Sequence, residues 1–505
     1  MKTKSILYAI AILLFSLLFY KQDVGLNYLL FAILLVAFSV VMHPNIWKTR
    51  QWLTVATGTI IAGFFCMYYA STLAIVMCIV SVLILGFVNR WKKISILTAL
   101  IAGIASQLLA VILIFKGKLL SDKLRKTANK PIINKSGKWV SVFIVLIVIV
   151  VFMALYSSIN PVFEKVTSGL FQSISWSWFF FCVLGFVLLY SFFYPTQLVR
   201  QFTKIENENS KSLNPENIGS ENTFMGNVVP FSNEIFAAKL LFIILNGLLL
   251  LLNFTDIHYL LLKGTLPYEI TLSQYVHKGV GAVIVSILFA IGLIIFFYRG
   301  KLNFDSASKM VKMLTYLWIL QNIILIVMTM YKNHLYIDSY ALTYKRIGVY
   351  FYLFFSIIGL VLTAYKVLTQ QSTWFLFRSN AYAIYVVLIL ASAVNWNLVV
   401  SEHNLAHKKN QDYDYLIYLG YENYPLLWEK ECLYVTSVAY PVDSNYVISD
   451  GKTLPSHITY FLSDYENHNI QSYCFKKQEV YDYFNNKIKA GEINDYRPFV
   501  LDQSK

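Results

Sequence analysis

The stretch IFAAKLLFIILNGLLLLL (residues 235–252) holds one charge, Lys239, and one amide, Asn246, in an otherwise apolar run. A helix crosses the hydrocarbon core of a bilayer with about 20 apolar residues, range ~17–25. The run reads as a membrane-spanning helix, and the rest of the chain repeats it. Comparable segments lie at 5–20, 26–42, 53–70, 73–88, 94–115, 139–158, 173–194, 279–298, 310–331, 348–368 and 381–397, which gives twelve candidate spans. Hydrophobic residues make up 57% of the 505 and charged residues 14%, with a mean hydropathy of +0.57. A soluble chain carries about 25% charged residues, so the excess apolar surface here needs lipid as its solvent. The first span follows MKTK and resembles a signal peptide, but it lacks a small-residue cleavage site and eleven more spans follow it. It is expected to be retained.

Charge is divided along the chain. Residues 1–397 hold 32 Lys/Arg and 12 Asp/Glu, a balance of +20, whereas 398–505 hold 10 and 15, a balance of −5. The basic excess therefore belongs to the loops of the membrane part, where it sets orientation. No basic helix or aromatic-basic platform stands outside the bilayer, which argues against a nucleic-acid partner. Of five cysteines, Cys66, Cys78 and Cys182 fall in spans, while Cys432 and Cys474 lie in the tail and could pair outside the cytoplasm. No CxxC and no zinc-type Cys/His spacing is present, and no metal or cofactor site is signalled.

Composition divides the chain into an N-terminal block of five spans (1–115), a basic loop (116–138), two spans (139–194), a polar linker (195–234), five spans (235–397) and a tyrosine-rich soluble tail (398–505). The linker segment QFTKIENENSKSLNPENIGSENTF (201–224) is too polar to offset ordering and is expected to be flexible. Counting crossings puts loops 253–278 and 332–347 and the tail on one face. The basic loop, the linker, 299–309 and 369–380 fall on the other. Positive charge favours the second face as cytoplasmic, with the tail outside. The basic segments MKTK, HPNIWKTRQW (43–52) and NRWKK (89–93) conflict with this count. Either one early candidate does not fully cross, or one basic loop sits on the wrong side.

Ionisable residues inside a membrane mark ion pathways, because burying a charge there costs at least ~2.5–3.5 kcal/mol. Lys239, Lys312 and Lys366 lie near span ends, where snorkelling accounts for them. Gln107, Asn246, Gln321 and Asn322 lie mid-span and read as interhelical glue. A carrier with a buried carboxylate is therefore disfavoured.

The tail face is richer. Loop 253–278 supplies Asp256, His258, Tyr259, Tyr275, His277 and Lys278, and loop 332–347 supplies His334, Asp338, Tyr340, Tyr344, Lys345 and Arg346. The tail adds Glu402, His403 and Asn404. One reading is a polar pocket with cations for an anionic headgroup and a His–carboxylate pair for proton transfer. The simpler reading is an interfacial belt, since Tyr with Lys or Arg at span ends is the ordinary anchor. No nucleophile elbow, P-loop, HExxH or glycine-rich dinucleotide turn is visible, so no enzyme is signalled. In the tail, 411–430 reads as a short amphipathic helix pair. CLYVTSVAY and HITYFL read as strand-like or mixed, and QEVYDYFNNKIKAGE as a helix closed by Gly491.

At the same loops the chain resembles a bacterial membrane family, domain-of-unknown-function family 4173, with its relative 4153. The resemblance covers about residues 215–430. It rests on LSQYVHKGVGAV (272–283), on YALTYKRIGVYFYL (340–353) with its Tyr–x–Leu–Thr–x–x–Arg pattern, and on NWNLVVSEHNLAHKKNQDYDYLIYLGYENYPLL (395–427). The family implies an architecture and no activity. The expectation is an all-α polytopic integral membrane protein of about 12 helices with a small α/β or mixed C-terminal domain, in a bacterial cytoplasmic membrane. Its partners would be the bilayer and an anionic headgroup or envelope protein. Its role would be that of a non-catalytic sensor, regulator or scaffold, with a transporter or envelope-lipid enzyme as the alternative.

Overall fold

The computed structural model describes residues 2–90, 94–110, 176–194, 206, 231–262, 272–407, 412–430 and 454–493, with scattered positions from 145 to 160. Among them the chain is helical and holds no β-strand. The first half gives α1 (Lys2–Phe19), α2 (Leu26–Met42), α3 (Arg50–Tyr69), α4 (Thr72–Val88), α5 (Ile96–Leu108) and α6 (Trp176–Phe193). The second gives α7 (Phe231–Ile257), continued by a π turn at His258–Leu262, then α8 (Leu272–Phe297), α9 (Lys309–Tyr340), α10 (Tyr344–Leu368) and α11 (Thr373–Ala391). The tail gives α12 (Trp396–Ala406), α13 (Tyr413–Tyr418), α14 (Tyr424–Glu429), α15 (Leu454–Glu466) and α16 (Phe475–Lys489). Side-chain caps set several starts: Ser71, Ser95, Ser372, Asn395 and Asp412 each accept a first-turn backbone N–H.

Six helices are long and apolar enough to cross a membrane: those spanning Arg50–Tyr69, Phe231–Leu262, Gly279–Phe297, Ser306–Tyr340, Tyr344–Leu368 and Thr373–Ala391. The twelve expected spans are thus reduced. The remaining apolar helices, α1, α2, α4, α5 and α6, are shorter, and candidate 139–158 lies largely outside the described residues. Apolar runs in the sequence extend past the points where the helices end. At 13 residues α5 is about 20 Å long.

Buried side chains form two membrane cores. One joins α1–α6 with Tyr385 and Ile389 of α11. The other joins α7–α10 around Phe242, Ile287, Ile326 and Leu353. In the first, Gly58 lets α3 approach Tyr385, whose hydroxyl is 2.9 Å from Ser81 Oγ; a Cβ at Gly58 would overlap that hydroxyl. A third core belongs to the tail, which caps the bundle on Ile337, Leu342 and Ile347 with Leu416, Leu427, Ile458, Phe461 and Phe484.

The described part of the tail corrects the mixed-domain expectation. HITYFL lies within α15, because Leu454, Ile458, Phe461 and Leu462 fall on one helical stripe and bury there. The helix expected over QEVYDYFNNKIKAGE forms as α16, with Gly491 left-handed at φ 75 after it. CLYVTSVAY and Cys432 lie outside the described residues. Cys474 is a buried free thiol.

Contacts with the tail place the described part of the early basic segments. The α1–α2 turn meets the tail through Leu26 N to Tyr473 O at 2.8 Å, and the end of α3 meets it through Tyr421 Oη to Tyr69 O at 3.1 Å. The start of α1, 43–49, 89–90 and 94–95 therefore lie at the end away from the tail. Ser95 there binds Glu206, and Lys4 sits over Tyr194 at the end of α6. Helix α5 starts at that end, and near its finish Gln107 Oε1 still accepts from Ser191 Oγ at 2.7 Å, two residues before α6 stops. Glu206 itself is buried, which differs from a uniformly flexible linker; the rest of 201–224 lies outside the described residues.

Candidate functional site

The tail-side ends of α7, α9, α10 and α12 build a polar joint. Helices α7 and α9 extend into stretches expected to be loops, so Asp256 and Lys332 are helical and face each other. Lys332 Nζ lies 2.7 Å from Asp256 Oδ2, with both side chains buried. The expectation that the spans carry almost no buried charge is thereby corrected. Lys366 is also fully buried rather than snorkelling, its Nζ donating to Tyr298 O at 2.9 Å. The sequence hides the pair because the partners are 76 residues apart, with no periodicity linking them.

A buried amide ladder leads to the pair along α7 and α9. Gln321 Nε2 donates to Asn246 Oδ1 at 2.9 Å, and Asn253 Nδ2 donates to Gln321 O at 3.0 Å. Just beyond the pair, Asn333 Nδ2 donates to Arg346 O at 3.2 Å.

The residues expected to form a site divide by what they hold. Arg346 Nη1 donates to the carbonyls of Tyr340 and Ala341, and its guanidinium lies 4.4 Å from the Tyr336 ring centroid. It closes the carbonyl end of α9, where a cation is favoured. Lys345 beside it is exposed. Asn404 binds both sides of Leu342: Oδ1 accepts its N–H at 2.6 Å and Nδ2 donates to its carbonyl at 2.9 Å. Tyr344 Oη donates to Asn397 Oδ1, whose Nδ2 in turn donates to Glu422 Oε2 at 3.2 Å. Burial holds the Glu422 carboxyl above its usual range. Tyr340 and Glu402 are exposed, and the side chains of Tyr275, His277 and Lys278 lie outside the described residues. His403 is half-buried, with Nε2 enclosed and without a hydrogen-bond partner. Burial, then the adjacent His407 ring, holds its imidazole below its ordinary pKa.

A second joint ties the tail to the N-terminal block. Asp23 Oδ2 lies 2.7 Å from His468 Nε2 and 2.9 Å from Lys477 Nζ. The His468 hydrogen bond is the main cause that holds the Asp23 carboxyl below its usual range. Asp23 N donates to Ser472 Oγ at 2.9 Å, and Tyr68 stacks on Phe475 at 5.0 Å. Asp23, Asp464 and His468 bring three ligand-type atoms within 4.8 Å of one another. The Lys477 ammonium already neutralises the central carboxylate, so the set reads as an ion-paired dock. At the opposite end of the bundle, Glu206 accepts Ser95 N at 2.8 and 3.0 Å and meets Arg378 Nε at 3.3 Å. A carboxylate there sits on the N-terminus of α5, where helix amides favour an anion.

Sequence reasoning missed Asp23, His468, Lys477, Asn397, Glu422, Glu206 and His407. Only His407 carried a local signal, its spacing of four from His403; the others pair across long separations.

The family described as Domain of unknown function (DUF4153) matches residues 8–429. The chain belongs to this family. The match takes in all the helices of both membrane cores and the α12–α14 part of the cap, so it reaches well before the segment of resemblance that begins near 215. No curated protein and no solved structure matches the chain. The family's description names no activity, and the membrane-spanning helices are read from the fold.

Proposed function

We propose that the protein is a non-catalytic envelope sensor, regulator or scaffold whose helical cap couples two membrane bundles. The carrying observation is that one cap is anchored to both. It holds the first bundle through Asp23, Leu26 and Tyr69, and the second through Leu342 and Tyr344. A ligand that binds the cap differently in two arrangements shifts the balance between them, which is what a sensor needs.

The orientation belongs to the same proposal: cap outside a bacterial cytoplasmic membrane, basic end inside. Lys4, Lys48, Arg50, Arg90, Arg299, Lys301 and Lys309 gather at the end away from the cap, which supports it. Partners would be the bilayer and an anionic headgroup or envelope protein. In intact cells, Ile470→Cys, at 78% exposure, is expected to react with a membrane-impermeant maleimide, and Lys301→Cys is not. The reverse pattern would invert the orientation.

The coupling has its own test. Asn404→Ala leaves the Leu342 amide and carbonyl without their partner, a loss of about 1–3 kcal/mol per buried group. Hydrogen exchange at Leu342 is expected to quicken, and so is exchange at Leu26, whose amide is bonded to the cap at the other bundle. Faster exchange at Leu342 with Leu26 unchanged would mean independent anchors and defeat the proposal. A transport role is the second reading, favoured by the Asp256–Lys332 pair and its amide ladder, since intramembrane charges mark pathways.

A further inference from the structure

The dock between the tail and the α1–α2 turn holds a histidine whose two ring nitrogens both face acceptors. His468 follows α15, and its Nδ1 lies 2.6 Å from the backbone carbonyl oxygen of Asp464. Its Nε2 lies 2.7 Å from Asp23 Oδ2 and 3.7 Å from Asp464 Oδ2. A neutral imidazole has one N–H and one lone pair, so it donates through one nitrogen only. In either tautomer the other nitrogen would press a lone pair against an oxygen at hydrogen-bond distance. The imidazolium donates through both. The docked geometry therefore fits the charged ring.

The groups around the ring keep the proton there. Among the described residues, the ionisable groups facing it are Asp23 of the α1–α2 turn, Asp464 and Tyr465 of α15, and Lys477 of α16. Lys477 Nζ donates to the same Asp23 Oδ2 at 2.9 Å, which leaves that oxygen poorly placed to carry a proton itself. The Asp23 carboxyl accordingly stays below its usual range, chiefly through the His468 hydrogen bond. Tyr465 stacks on the ring at 5.9 Å, and burial pushes its hydroxyl up to about 12, so it stays neutral where an imidazole titrates. Lys476, the neighbouring cation on α16, is spent on Glu479 at 2.7 Å. The Asp23 side chain is 53% exposed, so solvent protons reach the pair.

We propose that His468 is a proton-operated latch between the cap and the first bundle. With the ring charged, the latch is closed. Loss of the proton removes one of the ring's two hydrogen bonds and loosens the tail from the α1–α2 turn. An interaction that needs the charged ring is complete in mild acid and is lost as pH rises through the imidazole range, about pH 5 to 8. Lys477 keeps its hold on Asp23 throughout, so alkaline pH weakens the dock without abolishing it. The latch names a signal for the proposed sensor and rests on that reading only for its consequence at the second bundle.

The test reads the protection of the Leu26 amide, which is bonded to Tyr473 O beside the dock, in the full chain in detergent with a chelator present. Protection is exchange relative to the free-peptide rate at the same pH, which removes the intrinsic effect of hydroxide. Between about pH 5.5 and about pH 8.5 it is expected to fall by about fivefold, the worth of one partly exposed charged contact. His468→Gln, which cannot gain a proton in this range, is expected to start low and stay flat. His407→Gln, at the end of α12, is expected to keep the parent profile. A flat parent profile would overturn the proposal. So would a His468→Gln profile as steep as the parent's, or a slope lost only with His407→Gln. A response at Leu26 without one at Leu342 retains the latch and counts only against coupling of the bundles.

Discussion

Asp256→Asn or Lys332→Met alone is expected to abolish most folded protein in mild detergent, and the double variant to recover most of it. The two side chains are 4% and 7% exposed and lie 2.7 Å apart. Removing one partner strands a charge in a low-dielectric interior, a loss of about 3–5 kcal/mol. Replacing both by uncharged groups of similar volume is often neutral, because desolvation offsets most of the attraction. Since a whole domain is stable by only about 5–15 kcal/mol, a single variant falls near the threshold. Size-exclusion profiles and thermal unfolding of the three variants check this. Single variants as stable as the parent chain would mean that water reaches the pair, and would favour the transport reading over a structural one.

What the sequence disclosed follows from which interactions are local. Apolar runs are local, so the helical membrane architecture and most segment positions were legible. The joining of 332–347 with the start of the tail followed from crossing arithmetic, and the Asn404–Leu342 clamp is its physical form. The helix in HITYFL was hidden by its β-branched and aromatic residues. Those residues favour strands on propensity, yet the period that decides is Leu454, Ile458, Phe461 and Leu462 packed against Val480 and Phe484. Charges were misjudged for another reason. Asp256, Lys332 and Glu206 sit where a sequence shows a span end or a polar linker, and only tertiary pairing buries them. Arg346 was legible as a helix anchor, because a cation following an apolar helix is explained without a ligand, and its carbonyl partners agree.

The same distinction governs the cap. Its grip on the second bundle uses residues near α12, within the family's matched segment. Its grip on the first uses Tyr421, within that segment, and residues 468–477, which lie beyond it. Residues 468–477 thus extend a grip that Tyr421 begins, and together they join bundles that otherwise share mainly α11.

Gly25→Ala is expected to detach that anchor. A Cβ at Gly25 would overlap the carbonyl oxygens of Ser472 and Tyr473, and backbone on both sides cannot swing away as a side chain could. The obstacle also lies beside the Leu26 N–H to Tyr473 O bond at 2.8 Å, so relief requires the bond to break or the 470–473 turn to move. Overpacking of this kind is worth about 1–3 kcal/mol. That is comparable to the exposed ion pairs and hydrogen bonds which the dock places around Asp23, each worth about 1 kcal/mol or less. Limited proteolysis near Ile470, at 78% exposure, should accelerate severalfold, and exchange at Leu26 should approach that of a free turn. Gly247→Ala supplies the control, because a Cβ there meets nothing within 4 Å and alanine favours a helix interior. If Gly25→Ala is cut no faster than Gly247→Ala, the tail is not seated on the α1–α2 turn, and the cap's hold on the first bundle rests on the end of α3 alone.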